Sequence, residues 1–533
     1  MINKKLPLIA GLSITALLSG CSATNQEVAA KPIIKPTVTI PANEAIPEDV
    51  VDALTLAAIV DTTEVEEEVV FDDVWKRIES QLTLHVPQNR KLVAERNWYV
   101  KHPSYFKRIA KRAEPFLHFI VEEIEKRQMP MELALLPIVE SAFDPFAYSH
   151  GRASGLWQFV PGTGSRFKLK QTYWYDGRRD VIAATHAALD YLSFLHKTLD
   201  GDWLNAIAAY NSGEGRVGRA VKRNRKKHLP TDFWSLDLPR ETSSYVPKLL
   251  ALADILKNDE EFNIHWPAIA NKPHIKVVDA HSQIDLAKAA ELAGMELEAL
   301  HKLNPGYNQW ATDPKGPHKF IVPIEKAPQF EQNLANLPKK DRMAWSRYVV
   351  RSGDTLGTIA QKFNTSVSVL KDVNKIKNNI IRVKQALMIP SSSKSLTEYS
   401  LSADNRLIKT QNKKRANTKL SYTVKNGDTL WDISREYKVN VRSLAKWNGM
   451  APTDPIKPGK KLVIWKDKAS NTQSANAVMR SIFYKVRNGD SLARIAQKFN
   501  VSVNDIAKWN QLDLKKYLQP GQSLKLYIDV TRT

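Results

Sequence analysis

The stretch MELALLPIVESAF, residues 131–143, is an apolar run that ends on a carboxylate, Glu140, followed at once by a hydroxyl, Ser141. In a helix Leu133, Leu136, Pro137 and Glu140 fall at i, i+3, i+4 and i+7 and share the face that buries. A carboxylate on such a face either meets a partner or has its pKa raised by desolvation. A carboxyl held protonated near neutral pH is what general-acid chemistry uses. A structural glutamate, paired with an arginine or capping a neighbouring helix, would satisfy the same burial, so this stretch alone leaves both readings open. Two later clusters, SGLWQF (residues 154–159) and AAYNSGEGRV (residues 208–217), add hydroxyl, amide and phenol groups. Spacing alone does not make one site of the three.

The elements that must position these residues read as helices. From residue 71 to 262 the apolar pattern is helical, without strand alternation. In RRDVIAATHAALDYLSFLHKTL, Asp180 is placed to cap a helix whose stripe is Ile182, Leu189, Leu192, Leu195 and Leu199. DWLNAIAAYNSGEG reads as a short helix stopped by Gly213 and Gly215. The pattern gives an all-α domain over residues 113–262, preceded by an N-terminal helical segment over 71–112. Residues 21–70, with four prolines from Pro32 to Pro47 and the acidic run EVEEE, read as a flexible tether. Residues 1–20 carry Lys4, Lys5 and an apolar core from Leu6 to Leu18, the layout of a secretory signal peptide too short for a membrane span. Leu18-Ser19-Gly20-Cys21 resembles a bacterial lipobox, which implies lipidation of Cys21; Ser22, in that pattern, implies the outer membrane. Cys21 is the only cysteine, so no disulfide forms within one chain.

At 533 residues the chain is too long for a single core. Its net charge of +22 is carried by one part: residues 341–533 hold 36 Lys and Arg against 14 Asp and Glu, and the remainder balances to zero. A basic tail on a neutral body implies an anionic partner. Export argues against nucleic acid and leaves the membrane surface or an acidic cell-wall polymer. The tail is also repetitive. YVVRSGDTLGTIAQKFNTSVSVLKDVN, YTVKNGDTLWDISREYKVNVRSLAKWN and YKVRNGDSLARIAQKFNVSVNDIAKWN align without a gap, offset by 74 and 62 residues. Each reads as a strand, a Gly-Asp-Thr/Ser turn with the Asp and Thr/Ser capping, two short helices and a closing strand. Linkers rich in Ser, Lys and Asn separate the copies, as in residues 391–419.

These units, at 347–390, 421–464 and 483–527, resemble the LysM module, a small α+β (βααβ) domain that binds N-acetylglucosamine-containing glycans such as peptidoglycan. The resemblance implies glycan contacts at Gly353, Asp354, Thr355 and Leu356, at Gly427, Asp428, Thr429 and Leu430, and at Gly489, Asp490, Ser491 and Leu492. The last set would face the stretch around Gln519 and Pro520, and the three aspartates would serve to turn and cap rather than to bind. A degenerate copy without the Gly-Asp-Thr turn spans 273–323.

Taken together, Glu140-Ser141, Gly155-Leu156-Trp157-Gln158 and Ala209-Tyr210-Asn211 with Gly213 resemble the signature of the lysozyme-like lytic transglycosylases. Tyr245, in ETSSYVPKLLAL, resembles that family's later tyrosine motif. The resemblance implies an all-α lysozyme-like catalytic domain followed by LysM modules on linkers. It implies Glu140 as general acid and then base in cleavage of a β-1,4 glycosidic bond of peptidoglycan. The same resemblance puts Ser141, Ser154, Gly155, Leu156, Trp157, Gln158, Tyr210, Asn211 and Tyr245 at the substrate, with Trp157 either stacking on sugar or serving as core. Asp144 reads as shaping the turn leaving the helix; Glu214, between two glycines, could serve as a second acid, at a position that the family pattern treats as variable. Arg178, Arg179 and Arg216 read as surface or salt-bridge residues. No His/Cys/Asp cluster has metal-ligand spacing, so neither metal nor cofactor is expected. A goose-type lysozyme hydrolase and an inert glycan-binding scaffold are the competing readings.

Overall fold

The computed structural model describes residues 71–466 and 479–529, apart from 500, 502 and 514–517. The signal segment, the tether and Cys21 lie outside the described residues. The first part is helical: α1 (Val74–Ser80), α2 (Arg90–Val100), α3 (Ser104–Ala113), α4 (Leu117–Glu125), α5 (Leu136–Ser141), α6 (Pro161–Arg166), α7 (Val181–Thr198), α8 (Trp203–Ser212), α9 (Glu214–Lys226) and α10 (Arg240–Lys257). Side-chain caps start several of them. Asp180 accepts from the Ala183 N–H at 2.9 Å at the head of α7, and Asp202 from the Asn205 N–H at 2.9 Å at the head of α8. Helix α10 is the central post, with Val246, Leu249, Leu250 and Leu252 fully buried. It packs against α2 and α8, and Arg96 of α2 is ion-paired to Asp254 of α10 at 2.5 Å.

The run from Met131 to Phe143 is not one helix. Met131–Leu135 forms a 3-10 turn and α5 begins only at Leu136. Pro137 enforces the break: lacking an N–H, it sits comfortably only in the first turn of a helix. Leu133 therefore does not share a helical face with Glu140. At the other end Ala142 and Phe143 both take left-handed φ values, 51° and 54°. The Phe143 N–H returns to the Pro137 carbonyl at 3.2 Å and the Ala142 N–H to Ile138 at 3.0 Å, a Schellman-type stop. Burial of the Phe143 ring, 0% exposed, holds this conformation against its cost of about 1–2 kcal/mol per residue. Glu140 is thereby left in the last turn of a short, rigid helix. A similar adjustment applies at Gly213. It ends α8 with φ 86°, but Gly215 lies inside the next helix rather than stopping the first.

The second part consists of small modules, each a two-stranded antiparallel sheet with two helices between its strands. The first has β1 (Ile275–Asp279), α11 (Leu286–Leu292), α12 (Leu297–Leu303) and β2 (Lys319–Pro323), followed by an added helix, α13 (Ala327–Asn336), that the sequence reading lacks. The next runs through β3 (Ala344–Val349), α14 (Leu356–Lys362), α15 (Val367–Val373) and β4 (Ala386–Ser391). After α16 (Ala403–Asn412) come β5 (Thr418–Thr423), α17 (Leu430–Glu436), α18 (Val441–Trp447) and β6 (Lys461–Lys466). The last is built from β7 (Met479–Lys485), α19 (Leu492–Phe499), α20 (Val503–Asn510) and β8 (Ser523–Asp529).

The repeated residues have repeated jobs. Asp354, Asp428 and Asp490 accept from the hydroxyls of Tyr348, Tyr422 and Tyr484 at 2.8, 2.7 and 2.7 Å. Each also accepts a backbone N–H three residues upstream. The aspartate thus ties the turn to the first strand, and the helix cap falls to Thr355, Thr429 or Ser491 alone. The turn glycines Gly353, Gly427 and Gly489 have φ of 85–87°, which a side chain would oppose. Asn374, Asn448 and Asn510 each clasp the closing strand through both amide atoms, and Asn304 does the same in the first module.

Residues 391–419 are more than a linker. Tyr399, 0% exposed, donates to Asp285 at 2.7 Å, Ser402 caps α16, and the Ala403 N–H reaches the Asn308 carbonyl at 2.7 Å. One buried aromatic and one cap dock the segment despite its polar composition. The spacer between the last two modules, residues 467–478, lies outside the described residues. Among the described residues no helix is long and apolar enough to cross a membrane.

Candidate active site

Glu140 projects from the last turn of α5 into a cleft of about 800 Å³ whose walls include Gln158, Tyr210, Asn211, Glu241 and Tyr245. Glu140 is partly buried as a residue, and its carboxyl accepts a hydrogen bond from the Tyr245 hydroxyl on α10. Burial raises its pKa to about 7; the Tyr245 hydrogen bond pulls the other way, and the charge of Glu241 adds to the rise. The phenols of Tyr210 and Tyr245 are pushed well above their ordinary value, chiefly by burial and then by Glu140, so both stay protonated donors. Tyr210 spends its proton on the Trp157 carbonyl at 2.8 Å, and Asn211 accepts from Thr242 at 2.9 Å. Those bonds fix the two side chains in the cleft wall.

Of the residues placed at the substrate by resemblance, Glu140, Gln158, Tyr210, Asn211 and Tyr245 come together around one space. The others stand behind it. Trp157 is 0% exposed and donates to Thr185 of α7 at 2.9 Å, so it is core and cannot stack on a sugar. Leu156 and Ser154 are equally enclosed. The Ser141 hydroxyl donates to the Leu156 carbonyl at 2.9 Å and to Pro137 at 3.2 Å, pinning α5 to the SGLWQF loop rather than touching Glu140. Gly155, φ 85°, passes so close to Arg178 that a Cβ would fall 1.8 Å from its carbonyl oxygen. Gln158 turns its amide onto the Gly155 carbonyl at 2.7 Å while facing the cleft.

The neighbouring charged residues separate in the same way. Asp144 accepts the Phe146 N–H at 3.0 Å and shapes the turn after α5. Glu214 is held by Arg166 at 2.7 Å and by Tyr191, and its pKa is lowered, which suits a fixed carboxylate rather than an acid. Arg178 is buried and bidentate on Asp176. The structural glutamate of the opening stretch is Glu132: fully buried, it accepts the Thr83 and Leu84 N–H groups at 2.7 Å.

The family model for the transglycosylase SLT domain matches residues 118–232, the LysM-like domain of lytic transglycosylase MltD matches 274–339, and the LysM domain matches 348–390, 422–465 and 484–526. Membrane-bound lytic murein transglycosylase D of Escherichia coli (strain K12) is 38% identical over 407 residues, 74% of this chain and 85% of the relative. The chain belongs to the membrane-bound lytic murein transglycosylase D family. It is a lytic murein transglycosylase with a helical SLT domain and LysM repeats. An autolysin of Enterococcus faecalis is 35% identical over 170 residues, 31% of this chain and 22% of its own. Among solved structures, the 70 kDa soluble lytic transglycosylase SLT70 of Escherichia coli aligns at 18% identity over 32% of this chain and 31% of its own, with a TM-score of 0.25.

In this lytic transglycosylase, sequence reasoning passed over Glu241 and Lys248, which also line the cleft. A signal was present: with Tyr245 they fall at i, i+4 and i+7 on α10 and so share its cleft-facing side. The loop that carries Ser149 and His150 also lines the cleft and has no comparable pattern.

Proposed function

We propose that Glu140 cleaves the β-1,4 bond between N-acetylmuramic acid and N-acetylglucosamine, acting first as acid and then as base. The Glu140 proton passes to the glycosidic oxygen as the C1–O bond breaks. The muramoyl 2-acetamido group stabilises the developing positive charge at C1. The 6-hydroxyl oxygen then bonds to C1 and returns its proton to the Glu140 carboxylate, leaving a 1,6-anhydromuramoyl end and consuming no water. The observation that supports this reading is a partly buried glutamate with a pKa raised to about 7, held by a tyrosine in a cleft of about 800 Å³. Mass spectrometry of digested sacculi tests it. Products about 18 Da lighter than the hydrolysed saccharides are expected; reducing ends would instead assign the chemistry to a hydrolase.

Tyr245 supplies an independent check. Its hydrogen bond favours the charged carboxylate and lowers the Glu140 pKa. Tyr245→Phe removes that effect, so the pH at which activity is half lost should move upward, together with a lower maximal rate. A downward shift in the pH profile would contradict the assignment.

In this reading the LysM modules anchor the enzyme to the glycan through backbone groups and apolar contacts around Gly353, Gly427 and Gly489, because the neighbouring aspartates are engaged inside the fold. Three modest binders in series raise the effective concentration of the strand. A lipid on Cys21, which the lipobox-like Leu18-Ser19-Gly20-Cys21 implies, would tether the enzyme to the periplasmic face of the outer membrane. The excess of Lys and Arg in residues 341–533 adds attraction to the carboxylates of the stem peptides. Sacculus binding by the full chain should therefore weaken between about 0.05 and 0.5 M salt, as screening shortens the reach of those charges. Binding that does not change with salt would leave the module surfaces as its whole source.

A further inference from the structure

A second cavity, about 790 Å³, opens beside the catalytic cleft and shares Ser149 and His150 with it as a common wall. It is bounded by the turn after α5, by the docked segment with α16, and by the module containing α18. Its charge is uneven: Arg179, Arg406, Lys409, Lys446 and Lys460 line it against two carboxylates, Asp144 and Asp404.

Among the described residues two of those cations make no direct ion pair, although the charges of Asp176 and Asp144 reach both. Arg179 and Arg406 converge on a single neutral acceptor, the Asn308 amide oxygen, at 3.1 and 3.4 Å. Arg179 Nε and Arg406 Nη1 are enclosed and donate to nothing among the described residues. The nearby acids are otherwise engaged, Asp176 by Arg178 and Asp144 by Arg112 at 3.5 Å. Asp404 has its pKa raised by burial, which draws it toward the neutral form. The Arg406 guanidinium lies over the Phe146 ring, 4.8 Å from its centroid, so its position is set by packing rather than by a carboxylate. Burial, reinforced by Arg179, pushes the Arg406 pKa down to about 9, the mark of like charges gathered out of water. An arginine pair in this condition is completed by an oxyanion that accepts from both forks.

We propose that this cavity binds the free carboxylates of the peptide stem carried by the murein strand, with Arg179 and Arg406 as the anion clamp. Ser149 and His150 line both spaces, so the two lie side by side, and a glycan seated over Glu140 would carry its charged substituent, the stem peptide of murein, past them toward the cavity. This rests on the glycan occupying the Glu140 cleft. The site would couple cleavage to the presence of a stem, and it exists only because the segment around Tyr399 and Ser402 docks α16 against the helical domain.

Calorimetry on the full chain tests the clamp without turnover, using a synthetic stem tripeptide with free carboxylates and the same tripeptide with carboxamides. The carboxylate form should bind at least about tenfold more tightly, as expected for charge-assisted hydrogen bonds. Arg406→Gln should lose that difference and Arg406→Lys should keep part of it. For digestion, the ratio of KM on peptide-free strands to KM on peptide-bearing strands should fall about tenfold in Arg406→Gln. Equal binding of the two tripeptides by the unaltered chain overturns the proposal, a comparison that needs no variant to fold. Equally tight binding of inorganic phosphate would overturn the assignment to the stem. If the tripeptide binds but the digestion products carry reducing ends, the Glu140 chemistry is wrong and the clamp stands.

Discussion

Glu140→Gln should lower kcat on isolated murein by about a thousandfold while leaving the fold and glycan binding intact. The size follows from removing both the proton donor for the leaving oxygen and the acceptor for the 6-hydroxyl, in a site where general acid–base catalysis contributes about 10²–10⁴-fold. Gln keeps the volume and can still accept from Tyr245, so the loss reads out chemistry rather than packing. The same residue sets the pH dependence. An acid must carry its proton, so activity should be full well below pH 7 and fall as pH rises through the Glu140 pKa of about 7. Stability has the same sign. A carboxyl raised from 4.5 to about 7 in the folded state binds a proton that the unfolded chain releases, so its contribution is present below the unfolded value and lost as pH rises past the folded one. The Gln variant, which has no such proton to lose, should be the more stable protein above pH 7, by up to about 3 kcal/mol. Undiminished digestion of sacculi by Glu140→Gln would remove Glu140 from the mechanism. A thermal melt that fails to separate the two proteins at alkaline pH would show that its carboxyl is not desolvated.

The enzyme class was legible because its motifs occur together and in order. A carboxylate closing an apolar run, two tyrosines and two amides in ordered clusters converge in the cleft. The helical class and the strand–helix–helix–strand modules were legible from periodicity and from repeats in which Tyr, Asp and Asn kept one spacing. What the pattern could not separate was wall from foundation. Ser141, Gly155 and Trp157 belong to the same motifs as Glu140 and Gln158, and only the fold shows that the first three face inward. Nor could it distinguish the two glutamates of the opening stretch, since both sit among apolar residues. Glu132 meets backbone N–H groups and Glu140 meets a cleft because Pro137 starts a new helix between them. The docking of residues 391–419 escaped detection because it depends on a few long-range contacts, Tyr399 to Asp285 and Ala403 to Asn308, that leave no period. The same holds for Arg152, whose ion pair to Asp454 at 2.7 Å joins the loop beside the cleft to the module containing α18.

Gly155→Ala should unfold or severely destabilise the helical domain, although it adds one methyl group and removes no chemistry. Two costs combine. With φ at 85° the new Cβ meets its own backbone, about 1–2 kcal/mol. It would also lie 1.8 Å from the Arg178 carbonyl oxygen and 2.7 Å from its carbon, neither of which can yield as a flexible side chain would. Arg178 is itself fixed, bidentate on Asp176 and donating to the Arg152 and Phe159 carbonyls at 2.8 and 3.2 Å. Relieving the overlap means moving that network or lifting the SGLWQF loop, and lifting the loop frees Trp157 from Thr185 and Leu156 from Ser141. The total should exceed about 4 kcal/mol, a large part of the 5–15 kcal/mol that holds a domain. Gln158→Ala, three residues on, removes an amide that faces the cleft and should lower activity with little change in melting temperature. The pair therefore separates the two roles within one motif. If Gly155→Ala melts with the unaltered protein but fails to digest murein, Gly155 belongs to the substrate surface and the crossing with Arg178 is looser than drawn. If it is lost to aggregation or melts far below the unaltered chain, the glycine is there because nothing larger lets the loop pass Arg178 and bring Gln158 to Glu140.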